Sequence, residues 1–324
     1  MIRRRALVAA LGTAPWFTHG PTAAATYPDR LIQMVVGYPP GQASDIGARV
    51  IATRMGQELK QTVYVDNKAG AAGIIAHQFV KLAPADGHTV LYGSTGPLAI
   101  NPRLYRKLPY DPLKDFAPVV LLNVSPLLLV ASTEIPVRNL KEMIAFAKAS
   151  PGKVSYGSSG SGATQHIAME MLKKEASIDM LHVPYKGSPA MVTDLIAGRV
   201  QFAFDVTTSI LAHVKSGRVR LIGVSSAERL ASLPDVPTVA EQGLPNFEAL
   251  SWAALMVPAA TPEPIVLQIN AAANRALRAK EVLEHYARSE SVPRGGTPAE
   301  FGAFLQREVK KWGDAVTASG AQVD

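Results

Sequence analysis

Val35-Val36-Gly37-Tyr38-Pro39-Pro40-Gly41-Gln42-Ala43-Ser44-Asp45 stands near the start of the chain. Val154-Ser155-Tyr156-Gly157-Ser158-Ser159-Gly160-Ser161-Gly162-Ala163-Thr164-Gln165-His166 repeats its layout near the middle. Each reads as an apolar strand, a glycine-bearing loop and the start of a helix. Glycine lets such a loop take positive φ or bring its backbone close to a ligand. The first turn of a helix carries N–H groups without intrahelical partners, at the positive end of the helix dipole. That combination suits an anion. Two such turns, facing each other from two lobes, make a clamp for a small carboxylate.

The same rhythm extends outward from both stretches. In the first half a strand over 31–36 leads to a helix over 44–59. A strand over 62–65, the loop Asn67-Lys68-Ala69-Gly70, a helix over 73–82 and a strand over 89–93 follow. In the second half a strand over 154–156 leads to a helix over 164–175. Next come a strand over 180–183, the loop Tyr185-Lys186-Gly187, a helix over 189–197 and a strand over 200–204. Alternating strands and helices indicate an α/β protein with parallel sheets wound by helices. Two apolar stretches, 116–130 and 247–257, are long enough as strands to cross between lobes. Lobe one is then discontinuous, taking 26–124 and 248–324, and lobe two takes 125–247. Amphipathic helical patterns over 264–278 and 298–319 bring no strand set of their own, so they are expected on lobe one.

Composition agrees with two domains. The chain has 324 residues, 48% of them hydrophobic, enough for two cores. Its formal charge of +7 comes without any run of Lys/Arg interleaved with aromatics, so no nucleic-acid face is expected. Cysteine is absent, which removes disulfides, zinc–thiolate sites, iron–sulfur clusters and cysteine nucleophiles. Residues 1–25 read as an export signal: Arg3-Arg4-Arg5, an apolar run over 6–17, and Ala23-Ala24-Ala25 as the cleavage site. The arginine triplet leaves Sec and twin-arginine export both open. Cleavage near Ala25 removes three Arg and no acid, giving 7 − 3 = +4 for a mature periplasmic chain.

In wound parallel sheets ligands bind beyond the carboxyl ends of the strands. Those ends are 38–45, 67–70 and 93–97 in lobe one, and 158–166, 185–187 and 205–208 in lobe two. Several residues there have two readings. Ser44 and Thr164 either cap their helices or offer hydroxyls to a ligand. Asp45 and Asp205 either brace the loops or bind an ammonium. Tyr38 and Tyr185 either pack on the ligand or fill a lobe core. Lys68 and Lys186 either attract an acid or are solvated and locally paired. Asn101, before Pro102, shapes a turn.

Enzyme motifs are lacking. The stretch 157–162 is out of register with G-x-S-x-G, and Gly160-Ser161-Gly162-Ala163-Thr164-Gln165 ends in Gln where a dinucleotide fingerprint needs Gly. There is no Walker loop and no H-E-x-x-H. The seven His show no metal spacing, so neither metal nor cofactor is expected. His166 is either a general base or a support for its loop; no recognised motif places a nucleophile beside it.

A set of ordered fragments carries a resemblance. They are Tyr27-Pro28-Asp29-Arg30, Tyr38-Pro39-Pro40-Gly41 with Asp45 and Ala48-Arg49, Ala83-Pro84-Ala85-Asp86-Gly87, Asn101-Pro102 with Leu104-Tyr105, and Leu108-Pro109-Tyr110-Asp111-Pro112. Tyr156-Gly157-Ser158 with Gly160, Gly162 and His166 follows, then His182-Val183-Pro184-Tyr185-Lys186-Gly187, Leu233-Pro234-Asp235-Val236-Pro237-Thr238 and Gly295-Gly296-Thr297-Pro298. The chain resembles the Bug family of bacterial periplasmic solute-binding proteins, receptors of tripartite tricarboxylate transporters. The resemblance covers nearly all of 27–324. It implies a type II periplasmic-binding-protein fold, with two lobes, two crossing strands and a cleft between. It also implies a small carboxylated ligand, such as an amino acid, a di- or tricarboxylate or an aromatic acid, held largely by backbone N–H groups, hydroxyls and bridging waters. Carried over by position, the site comprises Tyr38, Gly41, Ser44, Asp45 and Thr95 in lobe one. In lobe two it comprises Ser158, Ser159, Gly160, Thr164, His166, Tyr185 and Asp205. Gln42 stands where the family usually has a second glycine; its side chain either narrows the mouth or donates an amide hydrogen bond.

The expected function is therefore a monomeric, non-enzymatic receptor that closes on a carboxylate by hinge motion and hands it to membrane transporter subunits. A receptor feeding a signalling system, a hydrolase using His166 with a neighbouring Ser, and a structural envelope protein are the competing classes.

Overall fold

The computed structural model describes residues 27–323. The export signal expected over 1–25 lies outside the described residues. The first half contains β1 (Ile32–Val36), α1 (Ala43–Leu59), β2 (Val63–Asn67), α2 (Ile74–Lys81), β3 (Thr89–Ser94) and α3 (Asn101–Leu104). The long strand β4 (Phe116–Ser132) follows, then α4 (Leu140–Ala149), β5 (Ser155–Ser158), α5 (Thr164–Ala176), β6 (Leu181–Pro184), α6 (Ser188–Ile196), β7 (Phe202–Val206), α7 (Thr207–Lys215) and β8 (Val219–Val224). The last part holds β9 (Leu250–Pro258), α8 (Glu263–Ala276), α9 (Lys280–Arg288), β10 (Val292–Gly295) and α10 (Pro298–Ser319).

β1 pairs in parallel with β2 and β3, and β5 in parallel with β6 and β7. These are the two wound units expected from the alternating pattern. The strand order β2-β1-β3-β9-β4-β7-β5-β6 joins them into one curled sheet, with β8 and β10 also pairing β4. β4 serves both units. From Phe116 to Pro126 it runs antiparallel to β9, and from Leu127 to Ala131 antiparallel to β7. Pro126, which has no N–H to donate to a ladder, stands at the changeover.

The second apolar stretch behaves differently from expectation. β9 begins only at Leu250 and stays with β3 and the first part of β4. Phe247 and Ala249 are apolar because they are buried in the core, not because they extend the strand. The chain crosses at Ala249, pinned by Ser225. The Ser225 hydroxyl accepts the Leu127 N–H at 2.8 Å and donates to the Ala249 carbonyl at 2.5 Å.

The tail also departs from expectation. It contributes a strand, β10, antiparallel to β4 with Val292 opposite Val124. Pro293 and Arg294 break any alternation there, so the strand exists only through its partner. α10 begins at a capping box, Thr297 with Glu300, and buries Phe301, Leu305 and Trp312 on one side. It packs on α3 and β4 but also along α5. One apolar cluster accordingly runs from Leu98 and Leu104 through Phe301 and Trp312 to Ile167 and Leu172.

Candidate functional site

The N-terminus of α1 is open. Its N-cap is Gln42, whose side chain makes no capping bond, and the first intrahelical bond runs from Ile46 N–H to the Gln42 carbonyl. The N–H groups of Ala43, Ser44 and Asp45 therefore have no partner among the described residues. Ser44 lies one residue inside the helix, so the capping alternative for it falls; among the described residues its hydroxyl is unbonded. Asp45 is a brace. Its carboxylate accepts the Gly41 N–H at 2.9 Å and the Asn67 side chain at 2.9 Å, and pairs with Arg49 at 2.8 Å. The Arg49 hydrogen bond is the main reason its pKa falls to about 2. Asn67 also donates to the Tyr38 carbonyl. The Tyr38 hydroxyl lies 3.3 Å from Ser94 Oγ, and burial raises the phenol pKa. Thr95 is buried, and its hydroxyl is spent on β9, accepting the Trp252 N–H at 2.8 Å. Gln42 is exposed beside the open turn.

The N-terminus of α5 is open in the same way. Its N-cap is Ala163, and the first intrahelical bond comes from Ile167 N–H. Among the described residues the N–H groups of Thr164, Gln165 and His166 have no partner, and neither has the Thr164 hydroxyl, which is not at the cap. Ser158 is buried and shapes the loop, donating to the Gly160 carbonyl at 3.0 Å and accepting the Gly160 N–H at 3.2 Å. His166 Nδ1 accepts the Gly162 N–H at 3.0 Å. Burial, with Lys173 second, pushes its pKa down to about 4, so the ring is neutral at pH 7. Among the described residues no serine hydroxyl bonds His166; Ser158 Oγ lies 2.7 Å from His182 Nε2 instead.

Asp205 ties the turns of lobe two together. Its Oδ1 accepts from Ser188 Oγ at 2.7 Å, Val206 N–H at 2.8 Å and Gln165 Nε2 at 3.3 Å. Ser159 joins the chain by donating to Gln165 Oε1 at 3.1 Å. Asp205 Oδ2 is buried without a hydrogen bond, and burial raises the carboxyl pKa to about 6. Tyr185 donates its hydroxyl to Asp194 at 2.8 Å, while its N–H bonds the Ser158 carbonyl. Lys68 pairs with Asp66 and covers the Phe79 ring; Lys186 is exposed. Asn101 is buried and holds the Ala72 carbonyl. Gln165, His182 and Ser188 were not singled out from the sequence. Only their place beside strand ends pointed to them, because each acts through a bond to another element.

No cluster of three metal-binding side chains exists among the described residues, and no helix there is long and apolar enough to cross a membrane. Two wound α/β units, a strand running through both, and two open helix N-termini at their strand ends define a two-lobed solute-binding protein. The model of the tripartite tricarboxylate transporter family receptor matches residues 47–321. The chain belongs to that family, one of binding receptors and not of enzymes. It is 40% identical over 287 residues to a UPF0065 protein of Pseudomonas sp. (strain P51), covering 88% of this chain and 85% of that one. It is 37% identical over 306 residues to Protein BugT of Bordetella pertussis, covering 94% and 93%. Among solved structures, R. palustris Rpa4515 with adipate has a TM-score of 0.82 at 32% identity, covering 91% of this chain and 98% of that one. MatC from Rhodopseudomonas palustris with bound malate has a TM-score of 0.79 at 31% identity, covering 90% and 100%.

Proposed function

We propose that this protein is a periplasmic receptor that captures a small carboxylated metabolite between its lobes and delivers it to a tripartite tricarboxylate-type transporter. The open N-termini of α1 and α5 carry the reading. Each offers three N–H groups and an unbonded hydroxyl, Ser44 or Thr164, at the end of a wound unit. Tyr38, Gln42, Ser159, Gly160 and Tyr185 frame the same two turns. Asp45 does not repel an acid, because Arg49 already balances its charge. Thr95, Ser158, His166 and Asp205 set the shape of the site from behind. The acids named for the two R. palustris structures, adipate and malate, support the ligand class.

The energies are sufficient. A charge-assisted hydrogen bond contributes roughly 1.5–3 kcal/mol net. Four or five of them, less ordering costs, reach the roughly −8 kcal/mol of a micromolar complex. Contacts to both lobes favour a closed state, and the flexing points are 126–127 and 249–250, where β4 changes partners and the second crossing lies. The lobes are taken as 26–124 with 248–324, and 125–247; residues 1–25 direct export, and the receptor acts as a monomer.

The test is a thermal-shift screen of the mature protein, cleared of co-purified ligand, against small acids and their amides or esters. A ligand at a hundredfold excess over its dissociation constant stabilises the folded state by about 2.7 kcal/mol. A shift with one or a few carboxylates, absent with the neutral analogues, is expected. Equal shifts with the amides, or none across the panel, would overturn the carboxylate assignment.

A further inference from the structure

His166 and His182 stack face to face, with ring centroids 3.8 Å apart and planes 9° from parallel. Tyr156 continues the stack at 5.0 Å from His182. Each imidazole grips a different part of the β5–α5 loop. His166 Nδ1 accepts the Gly162 N–H. His182 Nε2 lies 2.7 Å from Ser158 Oγ, the hydroxyl that holds both the N–H and the carbonyl of Gly160. His182 stands on β6, outside the clamp itself.

A ring nitrogen that accepts an N–H has to be unprotonated. Protonating His166 at Nδ1 would set two N–H groups against each other and release Gly162. A positive charge on either ring would also face its stacked neighbour. The other titratable groups close by are Tyr156 on β5 and Glu170 and Lys173 on α5. Glu170 accepts the Tyr156 hydroxyl and pairs with Lys173 at 2.8 Å. On α10, which packs along α5, Lys310 pairs with Asp314 and Lys311 with Glu308. Burial holds both imidazoles down to about 4, helped by Lys173 and, for His182, by His166.

We propose that His166 and His182 are positioning residues: a stacked, uncharged brace that keeps the β5–α5 loop in its anion-receiving shape, so that acid uncouples the loop and weakens binding. This rests on the reading that the α5 N-terminus receives the ligand. Its sign is diagnostic. A histidine acting as a cation toward the ligand would strengthen binding as the pH falls; the brace does the opposite.

The experiment uses the full mature chain and the tightest acid from the screen. His166→Asn places an amide oxygen near the position of Nδ1 and does not titrate, whereas His166→Leu removes the acceptor. His182→Gln keeps a polar group toward Ser158. Affinities are measured from about pH 8 to about pH 3, and each variant is divided by the wild type at the same pH, which cancels the ligand's own titration. At neutral pH, H166N and H182Q should bind within about threefold of wild type and H166L about tenfold more weakly. The H166N ratio should then rise about tenfold in the acid range as the wild type loses its loop. Independently of any ligand, NMR titration of the imidazole protons should place both rings below about pH 5. Titration of either ring near its ordinary value, a constant H166N ratio, or wild-type binding by H166L would overturn the brace. Loss of binding to every acid in the panel would overturn the receptor reading and the brace with it. A bound acid with a constant ratio would overturn the brace alone.

Discussion

Gly162 rests directly on Leu104: a Cβ at position 162 would stand 2.1 Å from Leu104 Cδ2. The β5–α5 loop of one wound unit is thus seated on α3 of the other. Gly162 also has φ +77°, where a side chain is strained. Gly162→Ala should destabilise the protein by about 1–3 kcal/mol through overpacking and lower ligand affinity. Urea denaturation and calorimetry would measure both. Leu104→Ala in the same chain should recover part of the affinity by clearing the space. A G162A protein as stable as wild type would mean that the seat yields freely.

Asp45 should contribute in a pH-dependent way. Its folded pKa lies below the ordinary carboxylate value, so its stabilisation is present above that value and is lost as the pH falls toward about 2. Asp45→Ala strips a partner from Gly41 N–H, Arg49 and Asn67 together. The expected loss is about 1–3 kcal/mol at neutral pH, shrinking toward zero near pH 2. Unfolding curves of both proteins across that range would show a gap that closes with acid; a gap of constant width would refute the assignment.

Glu308 accepts the indole N–H of both Trp252 and Trp312 at 2.8 Å and pairs with Lys311 at 2.6 Å. It fastens α10 to β9. Glu308→Ala leaves two buried donors unpaired, at about 1–3 kcal/mol each. Glu308→Gln retains an acceptor and should lose less. Fluorescence-monitored unfolding would separate them, and equal stabilities for the two variants would contradict the arrangement.

Asp205 has the opposite sign to Asp45. Its pKa is raised by burial to about 6, so the stability tied to it is full below the ordinary carboxylate range and declines as the pH rises through about 6. Asp205→Asn should flatten that decline, an effect of up to about 3 kcal/mol, while still offering an oxygen to Ser188 and Val206. Parallel pH–stability profiles for the two proteins would show that the carboxyl titrates normally.

The wound units were readable because Met34-Val35-Val36 and Val90-Leu91-Tyr92 are buried stretches of parallel strand and so appear as unbroken apolar runs. α10 was readable to the residue from the amphipathic pattern over 298–319, and the structure adds the Thr297–Glu300 capping box that starts it. β10 was not, since nothing in Val292-Pro293-Arg294-Gly295 favours a strand without β4 beside it. At the site, the sequence located the loops but not the direction of their side chains. Thr95 turns to Trp252, 157 positions away, and His166 stacks on a ring from β6. The caps failed for a related reason. The N-caps, Gln42 and Ala163, lie two and one residues before the hydroxyl residues that seemed placed to serve as caps.

Ser225 has a consequence for engineering. Its backbone and hydroxyl bond Leu127 on one side and Ala249 on the other, so the chain leaves and rejoins the first unit at almost one point. A segment whose two ends meet can be lifted out and replaced with little change in the geometry of its host. Residues 127–249 are in that sense a cassette. Exchanging them between relatives, together with Leu104 and the face of α10 that pack against α5 and its loop, would join wound units from different parents.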